Sequence, residues 1–247
     1  MAVLVTRPHP DNETTAATLR ASGYDVVLAP ALRLEPIPLP HGAEAGYAAV
    51  IVTSANALRA VAPQLKAHPL LQLPLFAVGE QTAAAARRAG FVAVISADGD
   101  AAALLKCVAR GVRAAPAKKS ARDTRPLLYL AGADLSRDLA GELGARGIDV
   151  VTRATYRMVP VVRLPPDICE AFAANRVEAV LHYSTRSARA FLEAVRAAGV
   201  EISALALPQC CISAAVAQVL REAGAARLAV AAQPNEEALL TALAGTI

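Results

Sequence analysis

The sequence predicts an α/β protein with two similar lobes, and three observations carry this prediction. Short β-rich runs alternate with alanine-rich helical stretches along the chain of 247 residues. Most helical stretches end at a glycine, which readily adopts the left-handed conformation of a helix cap. Several segments of the first half recur in the same order in the second half. Alternation of this kind predicts parallel sheets that are covered by helices.

The strands and helices can be placed in order along the chain. Residues 3–5, a helix that ends at Gly23 and residues 25–28 form a first βαβ unit. Further strands are predicted at residues 50–52, 75–78, 92–95, 127–130, 148–151, 180–183, 210–212 and 228–230. The helices between them are predicted to end at Gly90, Gly111, Gly147, Gly199 and Gly224.

Internal repeats divide these strands into two sets of five. Four segments recur about 130 residues further on: residues 53–60 as 183–190, 78–83 as 212–217, 23–27 as 147–151, and 103–105 as 238–240. One such match between alanine-rich helices means little, but four in the same order are difficult to attribute to chance. The sequence therefore predicts two copies of a five-stranded parallel unit.

Prolines mark two extended segments, at residues 30–40 and 160–166. If both segments are linkers, residues 41–156 form one lobe that is inserted between residues 1–33 and 163–247, with linkers at 34–40 and 157–162. The residues alone also permit a simple tandem split near residues 113–125. Proline-rich extended segments suit a double hinge, which favours the inserted arrangement.

Composition restricts the class of partner. The net charge of +4 and the pI of about 9.0 suit an acidic partner. Aromatic residues make up only 4% and tryptophan is absent, which disfavours nucleic acid, and the most basic stretch, residues 118–125, is predicted to be a solvated loop. No apolar run approaches the roughly 20 residues of a membrane span. The first residues lack the features of a signal peptide, so we expect a soluble, cytoplasmic protein.

Metal, redox and nucleotide chemistry lack their usual motifs. Cys107, Cys169, Cys210 and Cys211 show neither metal-type nor disulfide spacing and are predicted to be structural thiols. The histidines show no spacing of metal ligands or of a catalytic triad, and His182 is predicted to be packed at a strand end. Glycine-rich dinucleotide and triphosphate loops are not found in the sequence. We therefore expect no cofactor and no metal.

Small and hydroxylated residues follow the predicted strands, where helix N-termini present unpaired N–H groups. Any one of them is explained as a helix cap. Both lobes nevertheless present such an edge, which favours a cleft that binds carboxylates or phosphates through backbone N–H groups. The segments are Thr6-Arg7, Thr53-Ser54-Ala55, Gly79 to Thr82, Gly132, Ser184-Thr185 and Ser213-Ala214.

Seven short segments, taken together, carry a family resemblance. They are VLVTRP (3–8), VIVTSANAL (50–58), FAVGEQTAAAARRAGF (76–91), LYLAGADLSRDL (128–139), TYRMVP (155–160), LHYSTRSA (181–188) and AAQPNEEALLTAL (231–243). Their order and spacing, over nearly the whole chain, resemble the uroporphyrinogen-III synthase family. The resemblance implies two flavodoxin-like lobes joined by a two-segment extended hinge.

The resemblance also implies an activity. The family's enzymes are lyases of haem biosynthesis that cyclise linear hydroxymethylbilane to uroporphyrinogen III, with inversion of the last pyrrole ring and loss of water. No metal or cofactor is implied. The substrate carries eight carboxylates, which suits an edge of helix N-termini with Arg7 and Arg137 as added positive charges. The protein would then act chiefly by positioning the reacting ends of the substrate.

Individual residues receive expected roles from the same resemblance. Tyr156, beside the second linker, is expected to donate a hydrogen bond or proton to the departing hydroxyl; the alternative is an aromatic ring packed at a strand end. Because Ala214-Ala215 stand where the family often has a hydroxyl residue, contact there is expected through the backbone. The expected substrate-side residues are Thr6, Arg7, Thr53, Ser54, Ala55, Gly79, Thr82, Gly132, Arg137, Tyr183, Ser184, Ser213 and Ala214.

A second class of function stays open, a two-lobed binding protein that closes on a small polyanion without catalysis. An arginine or glutamate pair converging on one ligand carboxylate would favour the binding protein, whereas a tyrosine at the linker with few other reactive side chains favours the synthase. The expected partners are hydroxymethylbilane and, for a transient hand-over, hydroxymethylbilane synthase. We expect a monomer that binds neither nucleic acid nor membrane.

Overall fold

The computed structural model describes residues 2–40, 46–114, 125–135 and 137–246, without the side chains of residues 113 and 114. The chain divides into two compact units, which we call the terminal unit (residues 1–34 and 159–247) and the inserted unit (residues 35–158). It passes between them after Leu34 and after Met158. Except for Arg125, the basic stretch 118–125 lies outside the described residues, as does most of the alternative split point.

The described residues form helices and strands in alternation. The strands are β1 (Ala2–Val5), β2 (Asp25–Leu28), β3 (Leu32–Pro36), β4 (Val50–Val52), β5 (Leu75–Ala77), β6 (Val94–Ser96), β7 (Leu127–Gly132), β8 (Val150–Pro160), β9 (Val177–His182), β10 (Gln209–Cys211) and β11 (Leu228–Val230). The helices are α1 (Asp11–Ala21), α2 (Ala55–Val61), α3 (Glu80–Arg88), α4 (Ala101–Ala114), α5 (Leu139–Gly144), α6 (Pro166–Ala173), α7 (Thr185–Ala197), α8 (Glu201–Ala206), α9 (Ala214–Glu222) and α10 (Glu236–Ala244). None of these helices is long and apolar enough to cross a membrane.

The sheet of the terminal unit has five parallel strands in the order β2-β1-β9-β10-β11. When the strands are numbered along this unit, the order is 2-1-3-4-5, which is the flavodoxin-like order. The chain connections therefore diverge between β1 and β9, and ligands of open parallel sheets collect beyond the carboxyl ends of such strands.

The sheet of the inserted unit has six strands, in the order β6-β5-β4-β7-β8-β3. The five from β4 to β8 follow the order 3-2-1-4-5, a circular permutation of the flavodoxin-like order, and their connections diverge between β4 and β7. The prediction of five strands was wrong for this sheet, because the proline-marked segment of residues 30–40 contributes β3. Extended backbone needs hydrogen-bond partners, and the long strand β8 supplies them: the Ile37 N–H donates to the Thr155 carbonyl at 2.7 Å.

Helices cover both faces of each sheet, as the alternation predicts. In the inserted unit, α2 and α3 pack on one face around Leu58 and Ala83, while α4 and α5 pack on the other around Leu104 and Leu143. All residues of β4 and β5 are buried, which explains why these strands are apolar throughout instead of alternating. In the terminal unit, α7 and α9 contribute to one apolar cluster and α1 and α10 to another.

Five of the six glycines that were predicted to end helices adopt a positive φ, between 71° and 102°. The prediction was wrong for Gly111, which lies inside α4. A β-carbon at this position would lie 2.6 Å from two carbons of the Phe76 ring. Gly111 is therefore required for close packing of α4 on the sheet and not for a left-handed cap.

Candidate functional site

A pocket of about 320 Å³ opens in the inserted unit where its strand connections diverge. It includes residues that follow β4 and β5 and residues of β7, the loop after β7, and β8. Five of the predicted site residues line it, namely Thr53, Ser54, Gly132, Arg137 and Tyr156. The remaining lining residues are Val78, Ala101, Tyr129, Asp134, Leu135 and Leu139. The pocket thus coincides with the location that parallel-sheet proteins use for ligands.

Tyr129 is a pocket residue that the sequence analysis missed. Its phenol oxygen lies 2.9 Å from the Thr53 hydroxyl, which comes from the neighbouring strand-to-helix loop. Burial raises the pKa of Tyr129 above its ordinary value, and the nearby Tyr156 adds to the shift, so the phenol stays protonated at neutral pH. A tyrosine within the aliphatic strand LLYLAG was the available signal. Its partner could be found only once β4 and β7 were known to be neighbours.

Tyr156 reaches the pocket from β8 and is half-buried. Its ring packs on Gly132 at the end of β7, and the Ala133 N–H donates to the Tyr156 carbonyl at 2.8 Å. The pairing of β7 and β8 shifts register between Ala131 and Gly132. Backbone and ring contacts together hold the Tyr156 phenol at the pocket.

Two helices begin at this edge with different caps. The Ser54 hydroxyl accepts from the Asn56 N–H at 3.2 Å and caps α2, in which Ala55 is the first residue. Gly79 stands at the cap of α3 and offers no side chain, so the first N–H groups of α3 have no side-chain cap. Thr82 was expected on the substrate side, but it lies on the buried face of α3, 6% exposed.

Arg137 lies at the edge of the pocket in a side-chain pair. Its Nη2 is 2.8 Å from Oε2 of Glu142 and its Nε also contacts Glu142; Arg137 is exposed and Glu142 is partly exposed. The hydrogen bond from Arg137 lowers the pKa of the Glu142 carboxyl. Arg137 is therefore a cation that is already partly neutralised when a ligand arrives.

At the carboxyl edge of the terminal unit, Arg7 follows β1 and Tyr183 follows β9. The Arg7 guanidinium lies over the Tyr183 ring, with Cζ 4.9 Å from the centroid, and pairs with Glu236. Burial raises the pKa of Tyr183 to about 12, so its phenol is neutral. Thr6, in contrast, is fully buried, and its hydroxyl donates to the Leu181 carbonyl at 2.8 Å.

The helix caps of the terminal unit repeat those of the inserted unit. Ser184 caps α7 by accepting from the Ser187 N–H at 3.0 Å, as Ser54 caps α2. Ser213 stands at the cap of α9 without a side-chain cap bond and is followed by Ala214, which begins the helix. The sequence repeat therefore corresponds to a repeat of capped and uncapped helix N-termini.

Within the described part of the chain, no three acidic, histidine or cysteine side chains converge as metal ligands. Cys107, Cys210 and Cys211 are buried, which agrees with their prediction as structural thiols, while Cys169 is partly exposed. Burial raises the pKa of Cys210 to about 11 and of Cys211 to about 12, which keeps both as unreactive thiols. His182 is completely buried, as predicted.

Comparison with known proteins identifies a family. A family model described as "Uroporphyrinogen-III synthase HemD" matches residues 13–241. No curated protein sequence matches significantly. The solved uroporphyrinogen-III synthetase of Helicobacter pylori is similar over 99% of this chain and 98% of its own, with a TM-score of 0.63 and 18% identity. A mutant uroporphyrinogen III synthase of Thermus thermophilus is similar over 99% and 96%, with a TM-score of 0.51 and 20% identity. At these identities, the two structures support the fold alone.

Proposed function

The chain belongs to the uroporphyrinogen-III synthase family, and we propose that it binds and cyclises its substrate at the pocket of the inserted unit. The family's reaction converts hydroxymethylbilane to uroporphyrinogen III with inversion of the last pyrrole ring and loss of water. The chain is thus a cyclising lyase of haem biosynthesis. The family match favours this function over the polyanion-binding protein that the residues alone left open.

The observation that carries the proposed site is the arrangement of Tyr156, Tyr129 and Thr53 around one pocket. An electron-rich pyrrole can expel hydroxide to give an azafulvene cation, and a donor beside the departing oxygen makes that step easier. Phenols and hydroxyls donate hydrogen bonds without adding charge. Tyr156 is the proposed donor, since its ring is held at the pocket by Gly132 while Tyr129 is bonded to Thr53.

The carboxylates of the substrate are proposed to bind backbone N–H groups of the uncapped helices. The α3 helix begins at Gly79 and α9 at Ser213, and neither residue supplies a side-chain cap. A helix N-terminus carries a partial positive charge and unpaired N–H groups, which favour an anion. Ser54 and Ser184 already satisfy part of this capacity in α2 and α7. The uncapped N-terminus of each unit is therefore a better carboxylate site than the capped one, and in α9 Ala214 can contribute its N–H without a hydroxyl.

Both units are proposed to engage one substrate molecule, with residues 34–40 and 157–162 as a two-segment hinge. The chain passes between the two units after Leu34 and after Met158, and two such connections suit a hinge. Arg7, Tyr183 and Ser184 would then supply contacts from the terminal unit. Small-angle scattering with and without uroporphyrin III, the stable oxidised product, tests the hinge: a smaller radius of gyration with ligand is expected, and an unchanged radius contradicts it.

A coupled assay tests the function. Hydroxymethylbilane is generated in place, the protein is added, and the porphyrins are oxidised and separated by chromatography. We expect isomer III in excess from this chain and isomer I alone without it. The Tyr156→Phe variant, which removes only the phenol oxygen, is expected to lower kcat about 100-fold with little change in KM. Unchanged kcat in a folded variant would exclude Tyr156 as the proton donor.

We further propose that the chain acts as a cytoplasmic monomer without a cofactor and receives hydroxymethylbilane directly from its synthase. Hydroxymethylbilane also closes spontaneously to isomer I, and direct transfer between the two enzymes would leave less time for this closure, which supports the proposal. Analytical ultracentrifugation tests the oligomeric state. Adding an inactive chain as competitor to the coupled assay tests the hand-over, since direct transfer predicts more isomer I at unchanged total porphyrin.

A further inference from the structure

Glu236, the first residue of α10, collects donors from three other segments of the terminal unit. Its Oε2 accepts from Nη1 of Arg7 at 3.0 Å, and its Oε1 accepts from the hydroxyl of Thr15 and, at 3.4 Å, from the phenol of Tyr183. Arg7 follows β1, Thr15 belongs to α1, and Tyr183 follows β9. One carboxylate therefore links the two strand ends between which the chain connections of this unit diverge.

The Arg7 guanidinium donates hydrogen bonds through Nη1 only, while its Nη2 lies at ion-pair distance from the Asp11 carboxylate. Nη1 bonds Glu236 and, at 3.3 Å, the Thr15 hydroxyl, while the guanidinium plane rests over the Tyr183 ring. Nε and Nη2 form no hydrogen bond with the described residues, and Oδ2 of Asp11 lies 4.0 Å from Nη2. The Arg7 side chain is 24% exposed, and neither Nε nor Nη2 is among the fully buried unpartnered atoms of the described residues.

We propose that Glu236 is a positioning residue, and that the Nε/Nη2 edge of Arg7 which it holds in place binds one carboxylate of the substrate. Two parallel N–H donors on one side of a guanidinium match the two oxygens of a carboxylate. The neutral Tyr183 ring supports the guanidinium from below and prevents rotation out of this orientation. This inference rests on the proposed function, because it takes the substrate to be a polycarboxylate.

The negative charge of Glu236 also weakens substrate binding, because an anion beside Arg7 repels a substrate carboxylate. Such repulsion is screened between partly exposed groups in water. The bidentate bond depends on orientation and is about twice as strong as a neutral hydrogen bond. When Glu236 is neutralised, the loss of the Arg7 orientation is therefore expected to outweigh the relief of repulsion between Glu236 and the substrate carboxylate. A higher Kd indicates the first effect and a lower Kd the second.

The test compares Glu236→Gln with Glu237→Gln. Glu237 is the next residue of the same first turn and is exposed, so both variants lose one negative charge at the same helix end. We measure the Kd for uroporphyrin III, which carries eight carboxylates, and kcat and KM for hydroxymethylbilane. Glu236→Gln is expected to raise Kd and KM about tenfold with kcat within about twofold, and Glu237→Gln to change none of them by more than about twofold.

A double variant completes the test. Arg7→Gln is expected to give a similar loss of affinity, and Arg7→Gln with Glu236→Gln no further loss, because both act through one bond. An unchanged or lower Kd in Glu236→Gln, or additive losses in the double variant, would overturn the proposal. The binding measurement does not depend on catalysis. If the wild type makes no isomer III but the variants show these changes in Kd, the proposed function is refuted and this inference stands.

Discussion

The Tyr156 ring packs on Gly132 so closely that a β-carbon at position 132 would lie 2.9 Å from Cζ and 3.0 Å from the phenol oxygen of Tyr156. Real β-carbons do not approach other atoms to that distance without displacing them. Gly132 is therefore the surface against which the proposed proton donor is held. The backbone at Gly132 does not require glycine, since its φ is not in the left-handed region.

Gly132→Ala is expected to displace the Tyr156 phenol from the pocket and to lower kcat at least about tenfold, because small misplacements of a reacting group cost large factors in rate. Overpacking is expected to lower the free energy of unfolding by about 1 kcal/mol. Steady-state kinetics and denaturant unfolding measure the two effects. Gly144→Ala is the control, since no atom lies within 4 Å of its added β-carbon. Full activity in Gly132→Ala would mean that the position of the phenol does not matter.

The Thr53–Tyr129 hydrogen bond is expected to contribute about 1 kcal/mol to stability. A double-mutant cycle of Thr53→Val and Tyr129→Phe isolates this term, because each change removes one partner at similar volume. Tyr24→Phe serves as the control, since the Tyr24 phenol makes no side-chain hydrogen bond with the described residues, and it is expected to change stability by less than about 0.5 kcal/mol. A coupling near zero would show that water replaces the bond fully.

The features that could be predicted from sequence are those with a local cause. A strand buried on both faces is apolar throughout, and a left-handed helix end favours glycine, which has no β-carbon, so β4 and Gly90 were both found. Gly111 was assigned wrongly because the same residue also permits close packing. Its partner Phe76 is 35 residues away and becomes visible only when α4 is placed on the sheet.

The sequence predicted the sheet edge at which the site lies, but not the side-chain contacts within the site. Thr53 and Thr82 both follow a strand and look equivalent in sequence, yet one bonds Tyr129 at the pocket and the other is buried on the inner face of α3. The difference depends on the rotation of each helix, which is set by packing of the whole unit. Glu236 was likewise hidden, because its three donors come from distant parts of the chain.

Acid is expected to destabilise the protein through His182. The Gln209 amide nitrogen donates to the carbonyls of Ala204 and Leu207, so its Oε1 must accept from Nε2 of His182, 2.9 Å away. Nδ1 is left without a partner among the described residues. Burial lowers the pKa of His182 from 6.5 to about 4. Between these values the unfolded chain binds more protons, so the free energy of unfolding falls as pH falls, by about 3 kcal/mol in all.

The measurement is denaturant unfolding at intervals from pH 7 to pH 4, with His182→Gln beside the wild type. Glutamine can still donate to Gln209 but cannot titrate, so the variant keeps the contribution of other groups and loses that of the imidazole. The difference between the two curves is expected to grow as pH falls and to level off near pH 4. Parallel curves would mean that His182 takes up no proton on unfolding in this range.

Gly111→Ala is expected to have two effects of opposite sign on the free energy of unfolding. Alanine in a helix interior is favoured over glycine by about 1 kcal/mol. The new β-carbon would, however, lie 2.6 Å from two ring carbons of Phe76, which is only 3% exposed and packs in the apolar core. Overpacking of this kind costs about 1–3 kcal/mol, so a net loss of about 1 kcal/mol in the free energy of unfolding is expected.

In a Phe76→Leu background the clash is relieved, and the same Gly111→Ala change is expected to become neutral or stabilising. Equal losses in both backgrounds would mean that the Phe76 ring does not restrict this position.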